Sequence, residues 1–146
     1  MKAYADTSFL VSLYTFDANS ATAAAHMRKA PDTLLVTPFG ELELTNAIAL
    51  RVFRRELTAA QAKAALAAFE SDMRGGVLTA APLPAAIYQK AKQLSRHYTA
   101  NIGARTLDIM HVAAALVLEA SALFTFDRRQ RDLAKAEGLS TPVRLH

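Results

Sequence analysis

Four acidic residues lie where a carboxylate is expected to be costly, at the edges of segments predicted to be buried. They are Asp6, Glu43, Asp108 and Asp127. An isolated carboxylate in a protein interior is unfavourable, and it takes up a proton unless another group pairs with it. A divalent cation is the simplest partner that could hold all four, because such ions bind carboxylate oxygens and activate water. The sequence therefore predicts a shared cation site.

The elements that must position these acids alternate between strands and helices. Strands are predicted at 2–5, 34–37, 77–79, 122–126 and 143–145, and helices at 9–14, 20–29, 38–56, 59–75, 85–98, 106–120 and 128–137. This alternation favours an α/β fold, a three-layer sandwich with a mostly parallel central sheet between helices. Functional groups of such folds gather at the carboxyl ends of the strands. Asp6 and Asp127 directly follow strands, and the helices of Glu43 and Asp108 begin near the same edge.

Three of the acids also have a purely structural interpretation. Asp6 and Asp127 each precede a predicted helix, where an N-cap role would explain them. Asp108 lies in the first turn of its helix and could do no more than complement the helix dipole. Taken singly, each acid is weak evidence for a metal site.

Glu43 is too far into its helix to be a cap, but Glu41 competes with it. Glu43 shares a helix face with Phe39 and Ala47, whereas Glu41 lies on the opposite face beside Leu44. Helical geometry leaves both glutamates open.

His111 shares a helix face with Asp108 and has two interpretations, a ligand or base and a hydrogen-bonded core residue. Other chemistries lack their motifs. The chain has no Gly-rich phosphate loop, no Gly-x-Ser-x-Gly elbow and no His-Glu-x-x-His helix. These absences leave the carboxylates as the main candidates for catalysis.

Composition predicts one domain over residues 1–146, because 146 residues with 52% hydrophobic content suffice for one sizeable core. The absence of cysteine fits a reducing, cytoplasmic location. No signal peptide or membrane span is expected.

The net charge is +4, so gathering four acids at one point leaves a more basic exterior, which suits binding of a polyanion. Two arginine groups could hold the phosphates of a nucleic acid: Arg51, Arg54 and Arg55, and Arg128, Arg129 and Arg131.

Each of the four acids lies in a short sequence motif, and the order of these motifs along the chain is informative. The motifs are Asp6-Thr-Ser-Phe-Leu-Val, Val36-Thr-Pro-Phe-Gly-Glu-Leu-Glu43-Leu-Thr-Asn-Ala, Arg105-Thr-Leu-Asp108-Ile-Met-His and Leu123-Phe-Thr-Phe-Asp127-Arg-Arg. Across nearly the whole chain, this pattern resembles the PIN-domain nucleases, and most of all the VapC-type toxins of toxin–antitoxin pairs.

The resemblance implies an endoribonuclease with one or two Mg²⁺ or Mn²⁺ ions, an RNA substrate, a homodimer and a cognate antitoxin that holds it inactive. It matches Glu43, rather than Glu41, to the family's second acid, and Thr125 to a small hydroxyl residue near the site. Asp6 and Asp108 are expected to bind metal directly. Asp127 and Glu43 would bind directly or through water, and one of them would orient or deprotonate the nucleophile.

Two alternatives to the toxin remain open at this point, a PIN-like module that binds RNA or protein without cutting and a nuclease of RNA maturation. The apolar surplus in the helices from Ala21 to Leu66 makes that region the candidate dimer surface.

Overall fold

The computed structural model describes residues 1–29 and 31–145. Its centre is a four-stranded sheet in the order β3-β2-β1-β4, in which every neighbouring pair is parallel. The strands are β1 (Lys2–Ala5), β2 (Thr33–Val36), β3 (Thr79–Ala80) and β4 (Ala122–Phe124). The helices are α1 (Thr7–Tyr14), α2 (Ser20–Arg28), α3 (Pro38–Phe53), α4 (Ala59–Arg74), α5 (Ala86–Leu94), α6 (Ala100–Ile102), α7 (Thr106–Val117) and α8 (Arg128–Ala136). The predicted parallel α/β fold is confirmed.

The sheet separates two hydrophobic cores, which gives the predicted three layers. On one face Tyr4 and Leu123 pack with residues of α5, α7 and α8. On the other face Ala3, Ala5 and Phe124 pack with residues of α1, α3 and α4. Successive side chains of a strand point to opposite faces, so strands covered on both sides are apolar throughout.

Strand order decides which acids meet. β1 lies between β2 and β4, and Ala5 pairs with Phe124. The backbone N–H of Asp6 then donates to Phe124 O at 3.2 Å. Asp6 therefore leaves the sheet beside Thr125, two residues before Asp127.

Several helix boundaries follow the predicted local signals. Thr37 caps α3, with Pro38 in the first turn, and Thr58 and Gln61 form a capping box at the start of α4. Beyond the end of α8, Gly138 has a φ of 84°, the left-handed conformation that glycine adopts at little cost.

Other boundaries differ from the predictions. The helix predicted to Glu56 ends at Phe53, because Arg55 takes a φ of 61° and the next two amides donate back to Arg51 O. The strand predicted at 77–79 forms at 79–80, and the strand predicted at 122–126 ends at Phe124. The strand predicted at 143–145 is absent; a single bridge joins Ser140 to Ala122 instead.

The helix predicted to end at Tyr98 continues to Ile102, through a π-helical segment over Ser95–Thr99, so the predicted loop at 101–104 begins two residues late. Gly103, with a φ of 72°, ends it. The N-cap of α7 is Arg105 and not Thr106 or Asp108, and α7 ends at Val117 rather than residue 120. Within the described residues, no helix is long and apolar enough to cross a bilayer.

Candidate active site

Asp6 lies at the carboxyl end of the central strand and is fully buried. As the N-cap of α1, its Oδ1 accepts from Phe9 N at 2.9 Å and from Ser8 Oγ at 2.7 Å. Its Oδ2 accepts from Thr125 Oγ1. Burial raises the pKa of this carboxyl despite the three donors. A buried carboxylate with neutral partners alone would be stabilised by a nearby cation.

Thr125 connects Asp6 with Asp127 across β1 and β4. Its hydroxyl donates to Asp6 and accepts from the backbone N–H of Asp127 at 2.9 Å. Asp127 in turn caps α8, because its Oδ1 accepts from Gln130 N at 2.9 Å. The hydroxyl residue matched by resemblance therefore lies between two of the predicted acids.

Asp108 is buried in the first turn of α7. Its Oδ2 accepts from Arg105 N at 3.1 Å and Arg105 Nε at 3.3 Å, and its Oδ1 accepts from Gln130 Nε2 at 3.1 Å. Gln130 thus contacts both Asp108 and Asp127. Through Thr125 and Gln130, one run of hydrogen bonds connects Asp6, Asp127 and Asp108.

Glu43 approaches from the second turn of α3. Its Oε1 accepts from Thr7 Oγ1 at 2.8 Å and from His111 Nε2. Partial burial acts to raise the pKa of Glu43, but the hydrogen bonds from His111 and Thr7 outweigh it and hold the pKa below its ordinary value. Glu43, and not Glu41, is the glutamate that contacts His111.

His111 is almost fully buried, and both of its ring nitrogens have partners. Nδ1 lies 2.8 Å from Tyr4 Oη, and Nε2 contacts Glu43. Of the two interpretations of His111, the structure shows the hydrogen-bonded core residue, and it also shows that this residue supports a predicted site acid.

An open groove of about 400 Å³ runs past the site, lined by Glu43, Arg105, Thr106, Leu107 and Asp108. Glu43 and Asp108 are therefore both accessible from one cavity. Its size would admit a phosphate group and its water shell.

The described residues contain no ready-made cage, since no three His, Cys, Asp or Glu side chains are grouped to hold an ion within 1–29 and 31–145. The donor chemistry nevertheless fits a hard divalent cation. All four predicted residues offer carboxylate oxygens, and two of those oxygens, Glu43 Oε2 and Asp127 Oδ2, accept no hydrogen bond from the described chain. Oxygen ligands of this kind suit Mg²⁺ and Mn²⁺.

Sequence reasoning missed Tyr4, Ser8 and Gln130. Ser8 had a usable signal, because it lies two residues after a capping aspartate, where first-turn side chains reach back. Gln130 had none, because its side chain contacts Asp108 on another helix. Tyr4 had none, since it is indistinguishable from the other apolar positions of a buried strand.

Comparison with known families agrees with this geometry. The PIN domain model matches residues 3–136, a range that contains all four acids. The chain belongs to the PIN domain family. This PIN domain has no match among curated proteins. The family predicted from the four motifs is confirmed.

Among solved structures, this PIN domain is similar to Mycobacterium tuberculosis VapC20, described as a sarcin-ricin loop cleaving toxin. The TM-score is 0.72 at 19% identity, and the match covers 98% of this chain and 100% of that one. At this identity the likeness shows a shared fold over the whole PIN domain.

Proposed function

We propose that this PIN domain is a metal-dependent endoribonuclease that hydrolyses RNA phosphodiester bonds, and that it acts as the toxin of a toxin–antitoxin pair. The observation that carries the proposal is the hydrogen-bonded run from Asp6 through Thr125, Asp127 and Gln130 to Asp108. These hydrogen bonds connect three acids at one edge of the sheet, although Asp6 and Asp127 are 121 residues apart in the sequence.

Asp6 and Asp108 would hold one or two Mg²⁺ or Mn²⁺ ions, and Asp127 would join them directly or through water. When bound, the metal supplies an acidified water and neutralises charge on the phosphate. The chain's own contribution is to keep these carboxylates in place through Ser8, Thr125 and Gln130 before any ligand arrives, so little reorganisation is needed.

Glu43 would orient the attacking water. Its Oε1 is occupied by Thr7 and His111, whereas Oε2 receives no hydrogen bond from the described residues and can accept one from water. The lowered pKa of Glu43 keeps it ionised at neutral pH, as an acceptor requires.

Arginine placement favours α8 as the RNA-contacting surface. Arg128, Arg131 and Lys135, together with Asp132 and Leu145, line a groove of about 420 Å³. Arg128 directly follows Asp127 in the chain. In the other arginine group, Arg51 is engaged internally, because it donates to Thr15 Oγ1 at 2.6 Å and pairs with Glu56 at 3.1 Å. Arg54 and Arg55 of that group are exposed, so the preference for α8 rests on the position of its arginines directly after Asp127.

The toxin role rests on the PIN family and on the fold shared with VapC20. With the toxin role we also propose that the protein has a cognate antitoxin, forms a homodimer and is located in the cytoplasm. The exposed apolar side chains Leu42, Leu50 and Phe53 of α3 lie within the 21–66 region predicted as the dimer surface, and they support an interface there.

The test is cleavage of a mixed RNA substrate by purified protein with Mg²⁺ or Mn²⁺, and with EDTA. We expect metal-dependent cleavage that Asp6→Asn and Asp108→Asn abolish, since a lost electrostatic group of this kind costs about 3–4 kcal/mol of transition-state stabilisation. Glu70→Gln, which changes an exposed acid of α4, should retain activity and serves as the matched control. Retained cleavage in both site variants would refute the proposal, and RNA binding without cleavage would favour a non-catalytic module.

A further inference from the structure

We propose that Tyr4 is a positioning residue for Glu43 and acts through His111. Three contacts carry the inference: Thr37 Oγ1 to Tyr4 Oη at 2.9 Å, Tyr4 Oη to His111 Nδ1 at 2.8 Å, and His111 Nε2 to Glu43 Oε1. We call the side chains of Thr37, Tyr4, His111 and Glu43 the Tyr4 relay. The effect of Tyr4 on catalysis rests on the proposed function, whereas the positions of the protons within the relay do not.

The two ends of the Tyr4 relay constrain the direction of its hydrogen bonds. At one end, the backbone N–H of Gly40 can only donate, and it donates to Thr37 Oγ1 at 3.2 Å. At the other end, the ionised Glu43 can only accept. If Thr37 donates to Tyr4, then Tyr4 donates to His111 Nδ1, and the His111 proton lies on Nε2 and is donated to Glu43.

The opposite direction leaves a buried group unsatisfied. If His111 Nδ1 carried a proton and donated it to Tyr4, then Tyr4 would donate to Thr37. The Thr37 hydroxyl hydrogen would then have no acceptor among its contacts in the described chain, although Thr37 is fully buried. A buried donor without an acceptor is destabilising. Burial also raises the pKa of Tyr4, which keeps its phenol protonated and able to donate.

Packing prevents the imidazole from leaving this arrangement. Tyr4 lies on β1 and His111 on α7, while Thr37 is the N-cap of α3 and Glu43 lies in its second turn. Three of these side chains are at most 1% exposed: Tyr4, Thr37 and His111. The His111 ring lies 4.7 Å from the Phe39 ring and 5.7 Å from the Tyr4 ring, centroid to centroid. Three elements therefore define where Glu43 Oε1 lies before metal or RNA binds.

The experiment is ¹⁵N NMR of histidine-labelled, metal-free protein, with the His111 signals assigned by their loss in His111→Gln. We expect wild type to carry the proton on Nε2, with Nδ1 hydrogen-bonded. In Tyr4→Phe the Nδ1 hydrogen-bond shift should disappear and the Nε2 proton should exchange faster with water. Tyr14→Phe is the matched control, because it removes a hydroxyl bonded to Asp72 at 2.6 Å, outside the relay, and should change neither signal.

A second pair of variants covers the case in which Tyr4→Phe fails to fold. Thr37→Val removes the hydroxyl and should weaken the Nδ1 hydrogen bond, whereas Thr37→Ser keeps it and should restore the wild-type signals. A wild-type proton on Nδ1, or unchanged His111 signals in both Tyr4→Phe and Thr37→Val, would overturn the inference.

The catalytic consequence is measured separately. We expect Tyr4→Phe to lower kcat for RNA cleavage about tenfold with little change in KM, the low end of effects from residues that support a site ligand. An unchanged kcat alongside altered His111 signals would overturn the positioning role. If wild type cleaves no RNA, the proposed function fails, and the NMR result still decides the relay.

Discussion

The side-chain amide of Gln130 donates to Asp108 Oδ1 at 3.1 Å, while the backbone N–H of the same residue donates to Asp127 Oδ1 at 2.9 Å. One residue therefore ties the first turn of α7 to the start of α8. Its Oε1 is buried and has no hydrogen-bond partner among the described residues. Gln130 thus combines one useful hydrogen bond with one costly unpaired acceptor.

Replacement of Gln130 by Leu should separate activity from stability. The substitution removes the donor to Asp108 and also the unpaired oxygen. Because these effects oppose each other, we expect the unfolding free energy to change by about 1 kcal/mol or less. Metal-dependent cleavage should fall by about tenfold or more, since Asp108 loses support. Urea denaturation and initial cleavage rates measure the two effects, with Gln93→Leu on the exposed side of α5 as the control. Unchanged cleavage would show that Gln130 has no role at the site.

Metal binding should be visible as thermal stabilisation. A ligand that binds only the folded state adds about 2.7 kcal/mol at roughly one hundred times its dissociation constant. We expect Mn²⁺ to raise the Tm of wild type and of Glu70→Gln, and to leave the Tm of Asp6→Asn nearly unchanged. Without metal, Asp6→Asn should have a stability close to that of wild type. It removes a buried charge and still caps α1, but its amide nitrogen cannot accept from Thr125. An equal Mn²⁺ shift in wild type and Asp6→Asn would contradict Asp6 as a ligand.

Glu137, at the end of α8 opposite Asp127, should contribute to stability in a pH-dependent manner. Burial acts to raise its pKa, but Tyr98 Oη at 2.8 Å and Lys90 Nζ at 3.2 Å outweigh it, so the folded pKa is lowered. A lowered folded pKa stabilises above the unfolded value, about 4.3, and this stabilisation is lost as pH falls through the folded pKa. The difference in unfolding free energy between wild type and Glu137→Gln should therefore be present at pH 6 and shrink on acidification.

Chemical denaturation over a pH series in EDTA measures this difference. Tyr98→Phe should reproduce part of it, because it removes one of the two contacts that lower the pKa. Parallel curves for wild type and Glu137→Gln would exclude the linkage.

The α8 groove should respond to salt as a phosphate-binding surface. Arg131→Gln should weaken RNA binding similarly for different sequences and reduce the slope of log affinity against log salt by about 1. Fluorescence anisotropy in EDTA measures binding without cleavage. Arg54→Gln, an exposed arginine beyond α3, is the matched control and should leave the slope unchanged. The same loss in both variants would indicate only a general charge effect.

Much of the fold could be predicted because its signals are local. Thr37-Pro38, Thr58 with Gln61, and Gly138 each mark a boundary through the chemistry of a few neighbouring residues. The errors arise where distant contacts decide. The predicted strand at 143–145 is replaced by one bridge at Ser140, and the chain at Arg55 turns because its amide and the two that follow bond back into the last turn of α3.

The candidate site could be predicted only as a set of residue types. The acids were identifiable because carboxylates in apolar surroundings are unusual. Of the supporting residues, Thr125 was matched through the resemblance alone. Gln130 and Tyr4 were not identifiable, because their roles arise from β1, α7 and α8 meeting at one edge of the sheet. Helical geometry likewise left Glu41 and Glu43 equivalent. The resemblance favoured Glu43, and in the structure it is Glu43 that contacts His111 on another helix.

Three of the four acids also begin helices: Asp6 caps α1, Asp127 caps α8, and Asp108 accepts the Arg105 amide at the start of α7. The structural and chemical interpretations of these aspartates are therefore both valid, and truncating any of them risks unravelling a helix end as well as silencing the enzyme. Glu43 caps no helix, since Thr37 caps α3. For trapping uncut RNA on an otherwise intact scaffold, Glu43→Gln is accordingly the substitution of choice.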